Sequence, residues 1–276
     1  MTLSARNNIF RGGIILSSLC LALCFIASVK AIPAYALMET EAVLRRGLSQ
    51  VFFGKLFEAR LLAVHCCILA LGLYSFLSIV ATYFYFEKTQ SPEVLFVVFF
   101  AASFSPEMLR LVIPLGQLYN IPSLYMLMAS RVILFARHFG IFSLFVASVF
   151  AAGYQTQRQR DVIMFTIVTA LIMAIGVPID TQTWDSSFNM INGYASMFRL
   201  VEVGTFLITA FSFFVAAWSR RSREYIFIGA GSVLAFLGRT ILLSADTWAS
   251  LPVAMVFLIA GTWLLCVNLH KIYLWL

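Results

Sequence analysis

The sequence predicts an all-α fold: a polytopic transmembrane helical bundle of about seven crossings after an N-terminal signal-like hydrophobic segment, or eight if that segment is retained. Three observations predict it. The chain is 62% hydrophobic and only 11% charged, with a mean hydropathy of +0.94. Soluble domains carry about 25% charged residues, and a soluble fold of this length could not hide so much apolar surface. The apolar residues also fall into separate stretches near the ~20 residues that a bilayer crossing takes, divided by short polar breaks that leave no soluble domain.

The first apolar run is Gly12 to Val29, preceded by Arg6 and Arg11 and ended by Lys30 and Pro33. With Ala34-Tyr35-Ala36 behind it, residues 1–36 read as a signal peptide or, equally, as an uncleaved first transmembrane helix. In residues 37–60, Leu44, Leu48, Phe52 and Leu56 recur every four positions among Arg45, Arg46, Lys55 and Arg60, the pattern of an interfacial amphipathic helix. Residues 61–276 form the seven-helix domain. Leu61 to Phe86 crosses, and Glu87 to Ser91 is a polar break. Residues 92–118 are apolar but interrupted, and Asn120-Ile121-Pro122 makes a turn. A long helix over 123–152 follows, then a loop to Asp161 and a crossing from Val162 that stops before Pro178. A polar loop runs to about Tyr194. Crossings over Ala195 to Trp218, Tyr225 to Leu243 and Leu251 to Leu269 complete the bundle.

One short echo stands out. Ser91-Pro92-Glu93 and Ser105-Pro106-Glu107 are both helix-start signals, with serine to cap, proline at the first helical position and glutamate in the first turn. The second copy lies inside an apolar run. Pro106 has no N–H to give the carbonyl of Ala102, so the helix must kink or restart. Non-helical backbone at that depth survives only against protein or a water-filled cavity. The segment either crosses or re-enters.

The net charge is +7. In a membrane protein such basic residues mark cytoplasmic loops and anionic headgroups; no segment has the soluble basic surface that nucleic-acid binding needs. The five cysteines, Cys20, Cys24, Cys66, Cys67 and Cys266, all sit in apolar runs without a C-x-x-C pair, as buried thiols do. Arg158 and Arg160, then Arg220, Arg221 and Arg223, then Lys271 alternate with loops that carry Asp180, Asp185 and Asp246 and no Lys or Arg. The alternation places the C-terminus in the cytoplasm. It leaves the basic segment 37–60 outside, against the positive-inside rule, if residues 92–118 cross.

An ionisable residue inside the bilayer costs ~2.5–3.5 kcal/mol at its centre and is a functional candidate by default. The candidates for a ligand site are Glu107, Arg110, Arg131, Arg137, His138, Arg199, Glu202 and Arg239. Glu107 with Arg110, and Arg199 with Glu202, have i,i+3 spacing and can neutralise one another on one face. The topology puts most of these groups in the outer half. Arg131 and Arg137 fall near the outer start of their helix, and five arginines stand against two glutamates. Arginine recognises carboxylate or phosphate through a bidentate fork, so a net-positive pocket would favour an anionic ligand. Arginines near helix ends also snorkel to headgroups with no specific role. His65 beside Cys66-Cys67 lacks further ligands and reads as a packed histidine. No Walker, H-E-x-x-H or G-x-S-x-G motif is present. No cofactor, metal or catalytic residue is expected, and the chain reads more readily as a non-enzyme.

Seven crossings after a cleaved segment, with an outward N-terminus and an inward C-terminus, resemble bacterial seven-transmembrane receptor-type sensor modules over about residues 61–276. The resemblance is one of topology. It implies a receptor-like or accessory sensory module in the cytoplasmic (inner) membrane. Such modules usually carry a cytoplasmic signalling domain, which is missing here, so a protein partner in the membrane or cytoplasm is expected besides membrane lipids. The same arginines would also suit a transporter or membrane enzyme acting on an anionic lipid or small anion, and the chain could equally be the scaffold subunit of a membrane complex.

Overall fold

The computed structural model describes residues 3–46, 60–87 and 91–274. Among them the chain is an all-α bundle with eight helices long and apolar enough to cross a membrane. Helix α1 is Leu3–Arg46, α2 Leu61–Tyr85 and α3 Pro92–Ala102. A 3-10 segment, Ser105–Leu111, joins α3 to α4, Val112–Leu118. Then come α5 Ser123–Ala151, α6 Gln159–Gly176, α7 Ala195–Arg220, α8 Glu224–Leu243 and α9 Ser250–Leu274.

Helix α1 runs through Pro33 without a break, so the boundary expected at residue 36 is not an element boundary. Proline removes one backbone hydrogen bond, and the Ala, Leu, Met, Glu and Arg residues that follow are strong helix formers that carry the helix onward. Only Leu3–Val29 is apolar enough to span. Residues 47–59 of the expected amphipathic segment, and 88–90 of the polar break, lie outside the described residues. On α1, Arg6, Phe10, Ser17, Cys20, Cys24, Ser28 and Ala31 are buried at helical spacing. Arg6 donates to the Phe86 and Glu87 carbonyls at 2.8 Å, capping the end of α2. His65 on α2 is buried against Ser28 of α1, with Nε2 2.7 Å from the hydroxyl. Since Ser28 gives its own proton to the Cys24 carbonyl, the histidine is the donor. All five cysteines are free.

The interrupted segment, Pro92–Gly116, is long and apolar enough to cross. Its residues meet α5 in reverse order along the whole length of that helix. Phe96 stacks on Phe150 at 5.6 Å and Phe99 lies 5.4 Å from Phe139. Ser103 packs on Gly140, Glu107 reaches Arg137, and Gly116 meets Met126. A re-entrant loop would turn back before the far end of α5. The restart at Pro106 takes 3-10 form for seven residues, longer than such runs usually last, and mid-helix runs often mark hinges. In a 3-10 helix, side chains at i and i+3 eclipse, so Glu107 and Arg110 leave the same face and both enter the core.

Two departures from an all-α-helical chain matter. The loop after α6 holds a small antiparallel hairpin, with strands β1 Ile179–Trp184 and β2 Met190–Asn192. Its tip is tied by Asp185, whose Oδ1 accepts from the backbone N–H groups of Ser187 and Asn189. Phe188, at φ 59°, is fully buried and packs with Val64, Ile68 and Leu111. That burial pins a left-handed backbone conformation that costs a non-glycine residue about 1 kcal/mol or more. The 3-10 segment Ser105–Leu111 is the second; elsewhere helix packs on helix, and the contact of α8 with α9 is built on glycine. A Cβ at Gly261 would lie 2.4 Å from the Ala235 nitrogen, and one at Gly238 would lie 2.6 Å from the Leu258 nitrogen.

Candidate functional site

The centre of the site is Glu107, whose side chain is 1% exposed. Arg137 clamps it with two charge-assisted hydrogen bonds, Nε to Oε1 at 2.6 Å and Nη2 to Oε2 at 2.7 Å. This is the planar fork that a guanidinium makes with a carboxylate. Arg110, with no exposed side-chain surface, sits 3.5 Å from Oε2 and donates to the Ser187 carbonyl. Its Nε and Nη1 are buried without hydrogen bonds among the described residues, so the Glu107 charge is the main compensation for Arg110 in the core.

A second pair lies beside the first. Arg239 of α8 is 1% exposed and bonds Glu202 of α7 through Nη1. Its Nη2 donates to the Arg137 carbonyl at 3.1 Å, linking the two pairs. Arg137 in turn gives a 2.7 Å bond to the Asn189 Oδ1 of the hairpin. The hairpin tip therefore closes over the charges through two contacts, Ser187 to Arg110 and Asn189 to Arg137. Arg137 lies at the middle of α5, not near its start, because the helix runs from Ser123 to Ala151, and the hairpin reaches it there through Asn189.

Between α5, α7, α8 and the hairpin lies a cavity of about 580 Å³. Such a volume falls within the range of small-molecule sites. Arg137, His138, Asp185, Asn189, Asn192, Arg199, Glu202 and Arg239 supply its polar wall, while Leu134, Ile141, Phe198, Val203 and Phe236 supply much of an apolar one. Although it lies at mid-helix, the Arg137 side chain is 19% exposed, because the cavity reaches it. His138 holds its ring by giving the Nδ1 proton to the Leu134 carbonyl at 2.8 Å, since a carbonyl only accepts. Its Nε2 is thereby the nitrogen left for the cavity. One turn below Arg137, Gly140 meets Ser103 and Phe100. Phe100, Phe104 and Leu144 are buried in the core there, outside the cavity lining.

Seven of the eight residues singled out in the sequence gather here: Glu107, Arg110, Arg137, His138, Arg199, Glu202 and Arg239. Arg131 does not. Its Nη1 donates to the carbonyls of Ala174 and Val177 at 2.5 Å and of Ile175 at 2.8 Å. It closes the C-terminal end of α6, where the last carbonyls have no helical partner and a cation is favoured. Arg131→Ala is expected to cost about 1–2 kcal/mol of stability, with ligand binding unchanged; thermal unfolding in detergent checks it. The pairing within α7 also differs from its spacing. Glu202 turns across to Arg239, and Arg199 is exposed with no hydrogen bond or ion pair among the described residues.

The hairpin also changes the charge balance. Asp185 lines the cavity, a carboxylate that sequence reasoning had left in a loop. Four arginines, Arg110, Arg137, Arg199 and Arg239, face three carboxylates, Glu107, Asp185 and Glu202. The positive excess is one charge, smaller than five arginines against two glutamates implied, and Arg199 carries it. Ser187, Asn189 and Asn192 were missed as well. The signal available for them was Asp185-Ser186-Ser187-Phe188-Asn189, in which an aspartate followed by small polar residues favours an Asx-type turn.

Comparison with protein-family models, with characterised proteins and with solved structures returns no match. Among the described residues no group of His, Cys, Asp or Glu is arranged to hold a metal ion. The site's chemistry is therefore read from its own residues: one uncompensated guanidinium at the wall of a half-polar cavity, beside two arginines already held by carboxylates.

Proposed function

We propose that the chain is a receptor-like or accessory sensory module of the bacterial-type inner membrane, multi-pass, which takes an anionic ligand into the cavity beneath the hairpin. The observation that carries this reading is Arg199, an exposed cation on the cavity wall with no partner among the described residues. A carboxylate or phosphate would complete it through the guanidinium fork. Loop charges support an orientation. Arg158, Arg160, Arg220, Arg221, Arg223 and Lys271 lie at the end opposite the hairpin, which favours a cytoplasmic C-terminus and an outward cavity.

Binding is favoured over transport because the core around Gly140 holds the buried side chains of Phe100, Phe104 and Leu144, and an anion passing through the bundle there would have to displace them. The 3-10 segment gives the module a means of response. It carries Glu107, which touches Arg137 at the cavity, and its short-turn geometry is the kind that converts at hinges. A protein partner in the membrane or cytoplasm would receive the change.

The test is thermal unfolding of the purified full chain in detergent against carboxylates and phosphates, both water-soluble and lipid-borne. At least one anion is expected to raise the midpoint in proportion to its occupancy, and Arg199→Ala is expected to weaken that anion roughly tenfold or more. No response to any of these anions overturns the reading.

A further inference from the structure

The lining of the cavity is mixed, and the mixture points to a class of ligand. Arg137, Arg199 and Arg239 supply its cations, and Asn189 and Asn192 of the hairpin supply neutral hydrogen-bonding groups. Interleaved with these are the apolar side chains of Leu134 and Ile141 on α5, Phe198 and Val203 on α7 and Phe236 on α8, with Val177 just beyond α6. A small hydrophilic anion would satisfy Arg199 and leave these apolar side chains in water. Removing apolar surface from water is favourable, so a ligand that covers both is preferred to one that meets the arginine alone.

The side of access agrees. In its first half, the half that carries Arg199 and Glu202, α7 exposes Met197, Leu200, Val203 and Leu207, and its buried residues begin only at Thr209. This half of α7 is held to the bundle through the Glu202–Arg239 pair, the stacking of Phe206 on Phe236, centroids 4.1 Å apart, and the contact of Phe198 with His138. Met197, Leu200 and Leu207 do not line the cavity and belong to a helix long and apolar enough to span, so they face hydrocarbon. Arg199 sits among them at the cavity wall, within reach of a head group lying at the bilayer surface.

We infer that the ligand of this site is an anionic amphiphile: one carboxylate or phosphate monoester head, paired with Arg199 under the hairpin, on an apolar body that lies along Phe198, Val203 and Phe236 and enters past α7 from the membrane. This inference rests on the anion-binding reading above and narrows its ligand. The two heads share the chemistry that Arg199 recognises, and the probes below separate them.

The experiment uses the purified full chain in lipid nanodiscs of zwitterionic phosphatidylcholine and measures binding by native mass spectrometry and by displacement of a fluorescent fatty acid. The probes are oleate, oleoyl lysophosphatidic acid, acetate, inorganic phosphate and oleyl alcohol. Oleate or oleoyl lysophosphatidic acid is expected to bind at least tenfold more tightly than acetate, phosphate or oleyl alcohol. Arg199→Ala is expected to remove that preference and Arg199→Lys to restore part of it. The better of the two long-chain probes identifies the head. Val203→Asn, which leaves every arginine in place and adds no charge, is expected to weaken the long-chain probes and spare the short ones. If acetate or phosphate binds as tightly as its long-chain counterpart, the amphiphile is wrong and the anion site stands. If oleyl alcohol binds as tightly as oleate and ignores Arg199→Ala, the site is merely lipophilic and the inference fails. If no anion binds at all, the reading beneath it fails too.

Discussion

Glu107→Gln is expected to unfold the bundle more readily than any other single charge change, by about 3–5 kcal/mol, the usual cost of removing one partner of a buried ion pair. Glu107 is the one carboxylate held by both Arg137 and Arg110. With glutamine in its place, Arg137 keeps Asn189 and a partial view of the cavity. Arg110 keeps only the Ser187 carbonyl, and two of its buried nitrogens already lack hydrogen bonds. An isolated buried guanidinium has no cheap way to neutralise itself, because arginine does not give up its proton in proteins. Denaturant unfolding in detergent measures the loss. Glu107→Leu combined with Arg110→Leu is expected to recover a large part of it, because a pair replaced by packed apolar groups costs far less than a pair broken. If the double variant were as unstable as Glu107→Gln, the charge account would be wrong and the shape of the segment would matter instead.

The second large effect is expected at Gly261, where it arises from backbone contact. The Cβ of an alanine there would lie 2.4 Å from the Ala235 nitrogen and 2.6 Å from the Gly231 carbonyl oxygen, closer than any real contact. Backbone on α8 cannot rotate away as a side chain tip can, so α8 and α9 must separate. Small residues at such crossings are what let helices approach in a membrane, where apolar side chains gain nothing by leaving lipid. Overpacking of this kind costs about 1–3 kcal/mol, and Gly261→Leu is expected to exceed that. The change reaches the cavity, since Arg239 stands one turn from Ala235 on the same helix. Gly204→Ala is the control. Nothing lies within 4 Å of its Cβ position, and alanine is the better helix former by about 1 kcal/mol, so it is expected to stabilise or leave the protein unchanged. Thermal unfolding of the two variants side by side decides the matter.

The helices were legible because lipid imposes a length and a composition on each crossing. The site was legible for the same reason: a charge in hydrocarbon is costly enough to be visible as an anomaly, so Glu107, Arg110, Arg137, Glu202 and Arg239 could be picked out from sequence. Partners were not legible, because they depend on tertiary geometry. Spacing offers Arg199 to Glu202, yet Arg239 on the neighbouring helix lies on the side of α7 that faces the bundle and takes it. Arg131 carries the same charge as Arg137, and only the position of the α6 terminus makes it a cap. The hairpin was hidden because its order comes from a few local bonds to Asp185 and from one anchor, Phe188, which finds its pocket on α2 and the 3-10 segment. The course of 92–118 along the full length of α5 rests on Gly116 meeting Met126 at the far end, a contact no linear pattern reveals.

Charges from α5, α7, α8 and the hairpin line one cavity that water reaches, with Phe100 buried in the core beyond it. Thiol accessibility tests this arrangement most directly. In a chain whose five native cysteines are replaced, single cysteines are placed at Asn189, His138 and Phe100, and intact spheroplasts are exposed to a charged, membrane-impermeant methanethiosulfonate. His138→Cys on the cavity wall is expected to label from the outside at a rate comparable to Asn189→Cys on the hairpin, and Phe100→Cys, little more than one turn deeper, to stay unlabelled. If His138→Cys proved as inert as Phe100→Cys while Asn189→Cys labelled, the cavity would not reach the middle of α5. The arginines would then be no more than membrane-embedded charges balanced in pairs.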